Sequence, residues 1–199
     1  MYKKLFAEAF GTFVLVLVVQ LTLFTGLFDI NTGVAAGLVL GLCVYTIGGI
    51  SGCHINPAVT LGLLSLNKMK WQESAYYIVS QLVGAGIATL ILVTLMDADI
   101  PFLGLAPSSL TAFGAEVVGA IVFGFGIAAV VYGKVRDDMS GVVIGTSLLI
   151  GLVIAVCMGS SGILNPAVAL GLGAIDVSHV FGSIVGVTIG MQLYRKFIA

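Results

Sequence analysis

The sequence predicts an all-α integral membrane protein: six transmembrane helices plus two re-entrant half-helices, arranged as an inverted 3+3 repeat. Three observations carry this. The 199-residue chain is 59% hydrophobic and only 9% charged, with a mean hydropathy of +1.19, whereas soluble domains carry about 25% charged residues. Two charge-free runs, 30–67 and 139–175, are each too long for one span and too short for two spans with a turn. The tripeptide Asn-Pro-Ala occurs once in each of those runs, at Asn56-Pro57-Ala58 and Asn165-Pro166-Ala167.

The elements follow from the charge-free runs, since a span needs ~20 apolar residues. Full spans are expected at about 5–28, 33–51, 72–96, 111–132, 141–158 and 177–197. The stretch 97–110 joins the two halves. Asn is a good N-cap and Pro is favoured at the first helical position, so each Asn-Pro-Ala starts a helix. Half-helices are expected at about 57–66 and 166–174; ten residues make ~15 Å of helix, half the ~30 Å hydrocarbon thickness. The apolar run after Lys3 and Lys4 is too long for the core of a cleavable signal peptide.

The halves repeat. Ala7-Glu8 and Gly11 match Ala115-Glu116 and Gly119, while Gly33, Val34 and Gly37 match Gly141, Val142 and Gly145, all 108 positions apart; the Asn-Pro-Ala copies are 109 apart. Three spans per repeat invert the second copy relative to the first, which points to a functional site at the midplane between them. Glycines four apart, Gly33, Gly37, Gly41 and Gly182, Gly186, Gly190, fit close helix crossings. The chain is expected to form a single membrane domain over 1–199, with repeats at about 1–97 and 110–199.

With six spans, all eight Lys and Arg fall on the side of the termini, at Lys3, Lys4, Lys68, Lys70, Lys134, Arg136, Arg195 and Lys196. Asp29, Asp97, Asp99 and Asp176 fall on the other. The positive-inside rule therefore puts both termini in the cytoplasm, in the cell (plasma or inner) membrane. The net charge of −1 suggests no nucleic-acid partner. Cys43, Cys53 and Cys157 show neither Cys-x-x-Cys nor metal-ligand spacing, and read as packing residues. Asp137 and Asp138 beside Lys134 and Arg136 read as a solvated connector.

Helices that begin at membrane depth need protein or a water-filled cavity around their exposed backbone. Inversion brings the two N-termini together, each with a partial positive charge. A water-sized molecule there meets two amide donors, Asn56 and Asn165. Its oxygen accepts from both, its hydrogens turn along the path, and a proton-conducting chain is broken. The preceding segments, Gly52-Cys53-His54-Ile55 and Ser161-Gly162-Ile163-Leu164, are expected to present a ladder of carbonyl acceptors. His54 is expected to brace its loop as a buried imidazole rather than to bind metal. Glu8 and Glu116 are intramembrane carboxylates, functional candidates by default. Their matching positions predict that each holds the non-helical backbone beside a half-helix, with proton relay as the alternative.

These residues resemble the aquaporin, or major intrinsic protein, family over essentially the whole chain. The resemblance is carried by Ala7-Glu8 and Ala115-Glu116, Ser51-Gly52-Cys53-His54-Ile55-Asn56-Pro57-Ala58-Val59-Thr60, Gln81-Leu82-Val83-Gly84-Ala85, and Ser161-Gly162-Ile163-Leu164-Asn165-Pro166-Ala167. It implies a homotetramer in membrane lipid with one pore per subunit, passing water or small neutral permeants without cofactor or energy input. One departure stands out. Family members usually have Arg after the second Asn-Pro-Ala, and here that position is Val168; Ala169 follows, where glycerol-conducting members commonly have Asp. The other constriction positions, placed by offset, are Ala36, Val153 and Gly162. A small apolar ring thus replaces an aromatic and cationic one. It is expected to be wider, to lack a fixed donor, and to lack one charge opposing cations.

The leading expectation is a passive channel for water and small uncharged solutes, with hydrogen peroxide, ammonia, polyols, urea and dissolved gases as candidates. A structural or adhesion protein with an occluded pore is the alternative from another class. A proton-coupled transporter would want more intramembrane ionisable groups, and no nucleophile–base pair suggests an enzyme.

Overall fold

The computed structural model describes residues 1–24, 31–96 and 108–199. Asp29, Asp97, Asp99 and the joining stretch 97–107 lie outside the described residues. Among the described residues, eight α-helices follow in order: α1 Tyr2–Phe24, α2 Thr32–Ser51, α3 Pro57–Ser65, α4 Trp71–Met96, α5 Leu110–Val131, α6 Ser140–Cys157, α7 Pro166–Gly171 and α8 Ser183–Phe197. Among the described residues, α1, α2, α4 and α5, and α6 together with the 3₁₀ turn Asp137–Met139 before it, are long and apolar enough to cross a membrane. The sixth span is α8 extended by a π-helical turn, Ser178–Gly182. Those 20 residues cover ~30 Å.

Local chemistry sets the boundaries. Asn31 and Ser109 cap α2 and α5 by accepting from the Gly33 and Ala112 amides at 2.9 and 3.0 Å. The second half-helix is shorter than expected, six residues rather than nine, and its end shows why. Gly173 has φ +66°, the Gly173 amide donates to Leu170 O, and the Ala174 amide donates to Ala169 O. This is a Schellman turn, in which a left-handed residue closes the helix. Asn67, at φ +59°, closes α3 the same way.

The bundle holds buried polar groups within an apolar core and is apolar outside. Glu8, Gln20, Gln81 and Glu116 are fully buried, while Leu38, Leu90 and Leu95 are exposed on the flanks, as a lipid solvent favours. The helices cross at glycines. Gly37 and Gly145, equivalent across the repeat, face each other at the α2–α6 contact; a Cβ on Gly145 would lie 2.4 Å from the Gly37 carbonyl oxygen. Gly186 and Gly190 bring α8 equally close to the Val117 and Ile121 carbonyls of α5. At one end, Lys4 pairs with Glu73 at 2.8 Å, Lys68 Nζ lies 4.6 Å over the Tyr132 ring, and Tyr132 stacks on Tyr194. These contacts place Lys4 and Lys68 beside the helices that carry the two termini.

Candidate functional site

Asn56 and Asn165 sit where α3 and α7 meet. Both are extended, at φ −160° and −153°. The Asn56 Oδ1 accepts from the Ala58 amide at 2.8 Å, and the Asn165 Oδ1 accepts from the Ala167 amide at 2.9 Å. That capping fixes which way each amide points. Asn56 Nδ2 then donates to Leu164 O at 2.9 Å, and Asn165 Nδ2 to Ile55 O at 3.1 Å. Each NH₂ carries two donors, so one N–H on each Asn stays available for a visiting acceptor.

The segments before the caps are wound alike. Cys53 and Ile55 have φ +51° and +40°; their equivalents Gly162 and Leu164 have +68° and +53°. A branched side chain in this region costs about 1–3 kcal/mol and persists only where neighbours enforce it. Two carboxylates enforce it here. Glu8 accepts from Ser51 Oγ at 2.7 Å, the His54 amide at 2.9 Å, the Ile55 amide at 2.7 Å and Gln81 Nε2 at 2.7 Å. Glu116 accepts from Ser160 Oγ at 2.5 Å, the Ile163 amide at 3.0 Å and the Leu164 amide at 2.9 Å, while Ser183 Oγ, whose proton goes to His179 O, stands 3.5 Å from it. Both groups are fully buried, with every donor supplied by protein, as a carboxylate at this depth requires.

His54 Nδ1 is 3.1 Å from Thr60 Oγ1, its ring lies 4.9 Å from that of Tyr77, and its side chain faces a cavity on the basic side. Tyr77 donates to Ser51 O at 2.8 Å. Two further glutamines fasten the half-helix ends: Gln20 Nε2 donates to Gly171 O at 2.7 Å and Gln192 Nε2 to Ser65 O at 2.9 Å.

Two cavities of about 430 Å³ flank this centre. The inner one, on the basic side, is lined by Gly52, Cys53 and His54 with Val59, Leu63 and Ile144. The outer one contains all four offset-placed constriction residues, Ala36, Val153, Gly162 and Val168, together with Ser161, Ile163 and Asn165. Val153 differs from the others: it is 53% exposed, whereas its neighbour Leu152 is 8% exposed and packs in the core with Ala36 and Val168. A Cβ on Gly33 would lie 3.7 Å from Leu152 Cδ1, so Leu152 reaches across to α2. The helical period turns Leu148 and Leu152 inward and Val153 toward the rim.

Sequence reasoning did not single out Ser160, Tyr77, Leu152, Gln20 or Gln192, and it placed Ser51, Thr60 and Gln81 only within longer motifs. The two serines carried a signal, since Ser51 and Ser160 are 109 positions apart, the Asn-Pro-Ala offset. The three cysteines are free; Cys43 and Cys53 are buried, and Cys157 is exposed.

Comparison with known proteins agrees with this geometry. The pattern of the Major intrinsic protein family matches residues 1–194. The chain is 31% identical to "Probable aquaporin NIP7-1" of Arabidopsis thaliana, over 96% of this chain and 74% of that protein. It is 29% identical to "Aquaporin AqpM" of Methanothermobacter marburgensis, covering 97% and 96%. It is 30% identical to "Glycerol uptake facilitator protein-like 6" of Lactiplantibacillus plantarum, covering 96% and 94%. Its fold superposes on the aquaglyceroporin from Plasmodium falciparum with a TM-score of 0.71 at 24% identity, over 100% of this chain and 97% of that one. With two capped half-helices meeting inside a six-span bundle, and a family pattern running through nearly every residue, the chain belongs to the major intrinsic protein family.

Proposed function

We propose that the chain, acting as one channel domain, is a passive pathway for water and small uncharged solutes running from the outer cavity, past Asn56 and Asn165, to the inner one. The observation that carries this is the pair of amides. Each is locked by its own cap and by a bond across the repeat, and each keeps one N–H for an acceptor. A permeating water or hydroxyl oxygen accepts from both and turns its hydrogens away along the axis, which interrupts proton transfer. The carbonyls of Gly52 to Ile55 and of Ser161 to Leu164 offer the acceptors on either side. Glu8 and Glu116 hold those segments, and their complete sets of protein donors argue against a relay. The basic end is cytoplasmic by the positive-inside rule, and the chain works as a homotetramer in the cell membrane.

On the outer side the constriction is a small aliphatic ring of Ala36, Leu152, Gly162 and Val168, with Val153 at its rim. Without a fixed cation it selects by size and by hydration, so ions are refused because nothing replaces their water. Small polyols, hydrogen peroxide, ammonia and urea satisfy both conditions. A second reading has one observation behind it: the two cavities share no lining residue, as a structural or adhesion protein with an occluded pore would have. One experiment separates the readings. Proteoliposomes given a hyperosmotic glycerol shock, followed by stopped-flow light scattering, shrink and reswell faster than empty vesicles if water and polyol both pass. Fast shrinkage alone means a water-selective pore. Rates equal to those of empty vesicles would reject the channel.

A further inference from the structure

The turn that joins the first half-helix to α4 frames a further pocket at the basic end of the bundle. It holds about 740 Å³ and is lined by Asn67, Lys68, Lys70, Gln72, Glu73 and Tyr76. Its charge is unbalanced. The acid, Glu73, is paired with Lys4 at 2.8 Å, which leaves Lys68 and Lys70 in excess. Lys68 Nζ rests 4.6 Å over the Tyr132 ring. Lys70, just before α4, is exposed and in no ion pair among the described residues. Its neighbour Trp71 is the chain's one tryptophan and is 67% exposed. The pocket also runs on into an apolar surface. Tyr76 lines it and begins an exposed stripe on α4 of Tyr76, Val79, Val83 and Ile87, whose steps of three and four residues put them on one face. From Tyr76 to Ile87 is ~16 Å of helix, about half of the ~30 Å hydrocarbon thickness, or one leaflet.

We propose that this pocket binds the phosphate headgroup of an anionic phospholipid from the leaflet on the basic side, with an acyl chain lying along the α4 stripe. The Lys70 ammonium meets the phosphate and Lys68 adds a second positive charge beside it. The side-chain amides of Asn67 and Gln72 offer neutral donors to the remaining headgroup oxygens. A zwitterionic lipid brings its own cation and gains little from an excess of lysine. A lipid whose charge is the phosphate alone gains from both. Trp71 and Tyr76 are aromatic types that settle at the level of the headgroups, and basic pockets between helices on that side of a membrane take anionic headgroups.

The continuity of pocket and stripe is what selects a lipid. A free phosphate satisfies the lysines and leaves the stripe unused, whereas a phospholipid fills both. The bound headgroup also braces the first half-helix. The same turn closes α3: Asn67 is at φ +59° and the Lys68 amide donates to Leu63 O at 3.0 Å. A lipid held by Lys68 and Lys70 therefore fixes the residues that end that helix. The proposal rests on the basic end lying at the membrane surface and not on the channel reading.

Trp71 is the reporter for the test. The full chain is placed in phosphatidylcholine vesicles in which a minority lipid carries brominated acyl chains, which quench tryptophan on contact. That lipid is phosphatidylglycerol in one sample and phosphatidylcholine in the other. The expected result is stronger quenching by brominated phosphatidylglycerol, relieved by unbrominated phosphatidylglycerol and not by more phosphatidylcholine. This comparison is made on the wild type and needs no variant to fold. Each lysine carries about fivefold of the preference at low salt, so Lys70→Gln lowers it about that much and the double variant Lys68→Gln, Lys70→Gln nearly abolishes it. Lys134→Gln, at the same end but outside the pocket, keeps it. Equal quenching by the two brominated lipids would overturn the proposal. So would a loss in Lys134→Gln as large as that in Lys70→Gln, which would mean general attraction to a basic surface. Relief of quenching by inorganic phosphate, beyond that of chloride at equal ionic strength, would assign the pocket to a soluble anion instead. No quenching by either lipid would mean that a second copy of the chain covers the stripe, and would equally overturn it.

Discussion

Replacing Glu8 with Gln changes one oxygen of the carboxylate into a donor and leaves the shape almost untouched. The donors around it dictate the outcome. If the new NH₂ takes the Oε1 position, Ser51 can rotate its hydroxyl to accept, but the His54 amide is left facing a donor. If it takes the Oε2 position, Gln81 can turn its own unpartnered Oε1 inward, but the Ile55 amide is left. Either way one buried backbone N–H loses its acceptor, at about 1–3 kcal/mol, and the remaining bonds lose their charge assistance. A total of roughly 2–4 kcal/mol is a large share of the ~5–15 kcal/mol typical of a folded domain. For a chain of this size that lowers the thermal midpoint by about 4–16 °C. Glu116→Gln meets the same arithmetic, because Ser160 and Ser183 can rotate while the Ile163 or Leu164 amide cannot. The assay is thermal unfolding of the purified protein in detergent, followed by tryptophan fluorescence or loss of monodisperse protein, with osmotic shrinkage of proteoliposomes alongside. Unshifted midpoints in both variants, with normal flux, would refute the view that the carboxylates hold the strained segments in place.

Three other outcomes are expected. Leu152→Trp should abolish solute reswelling in the glycerol-shock assay, whereas Val153→Trp, at a half-exposed position, should leave most of it; the reverse order would put Val153 in the constriction. Val168→Arg should suppress glycerol flux more than water flux, since it adds bulk and a fixed charge to the apolar ring; unchanged glycerol flux would mean that Val168 does not face the permeant. Gly145→Val should prevent stable folding, because its Cβ meets the Gly37 carbonyl oxygen at 2.4 Å and overpacking costs at least ~1–3 kcal/mol; a normal yield of monodisperse protein would show that α2 and α6 can part without penalty.

The fold was legible wherever a long-range pattern set it. Overlong charge-free runs located the half-helices, and Asn-Pro sequences marked their starts to the residue. The ends were less legible. The second half-helix stops at Gly171 because Gly173 adopts a left-handed conformation, and one glycine among many in an apolar run does not announce which will do so. The anchoring role of Glu8 and Glu116 could be argued from their repeat positions, but their partners could not be fully listed, since Gln81 and Ser183 come from helices whose rotation the sequence leaves open. Leu152 and Val153 show the same limit. An offset counted from a motif fixes a residue to within a turn, and it did not tell that Leu152 is buried against Ala36 and Val168 while Val153 is half exposed.

The centre of the molecule depends on both repeats at once. Ile55 has its amide held by Glu8 and its carbonyl bonded by Asn165; Leu164 has its amide held by Glu116 and its carbonyl bonded by Asn56. Each Asn therefore takes its orientation partly from a residue that the other repeat's carboxylate holds. A change at one glutamate should reach the amide of the opposite repeat through a single residue, across the two peptide groups that flank its Cα. The two free N–H groups then act as one joint element, set by a closed circuit of hydrogen bonds rather than by either half-helix alone. Val168 touches that circuit only through its backbone amide, which lies 3.5 Å from Asn165 Oδ1. A change of the Val168 side chain therefore removes none of the circuit's bonds, and the position after the second Asn-Pro-Ala can vary while the two amides keep their orientation.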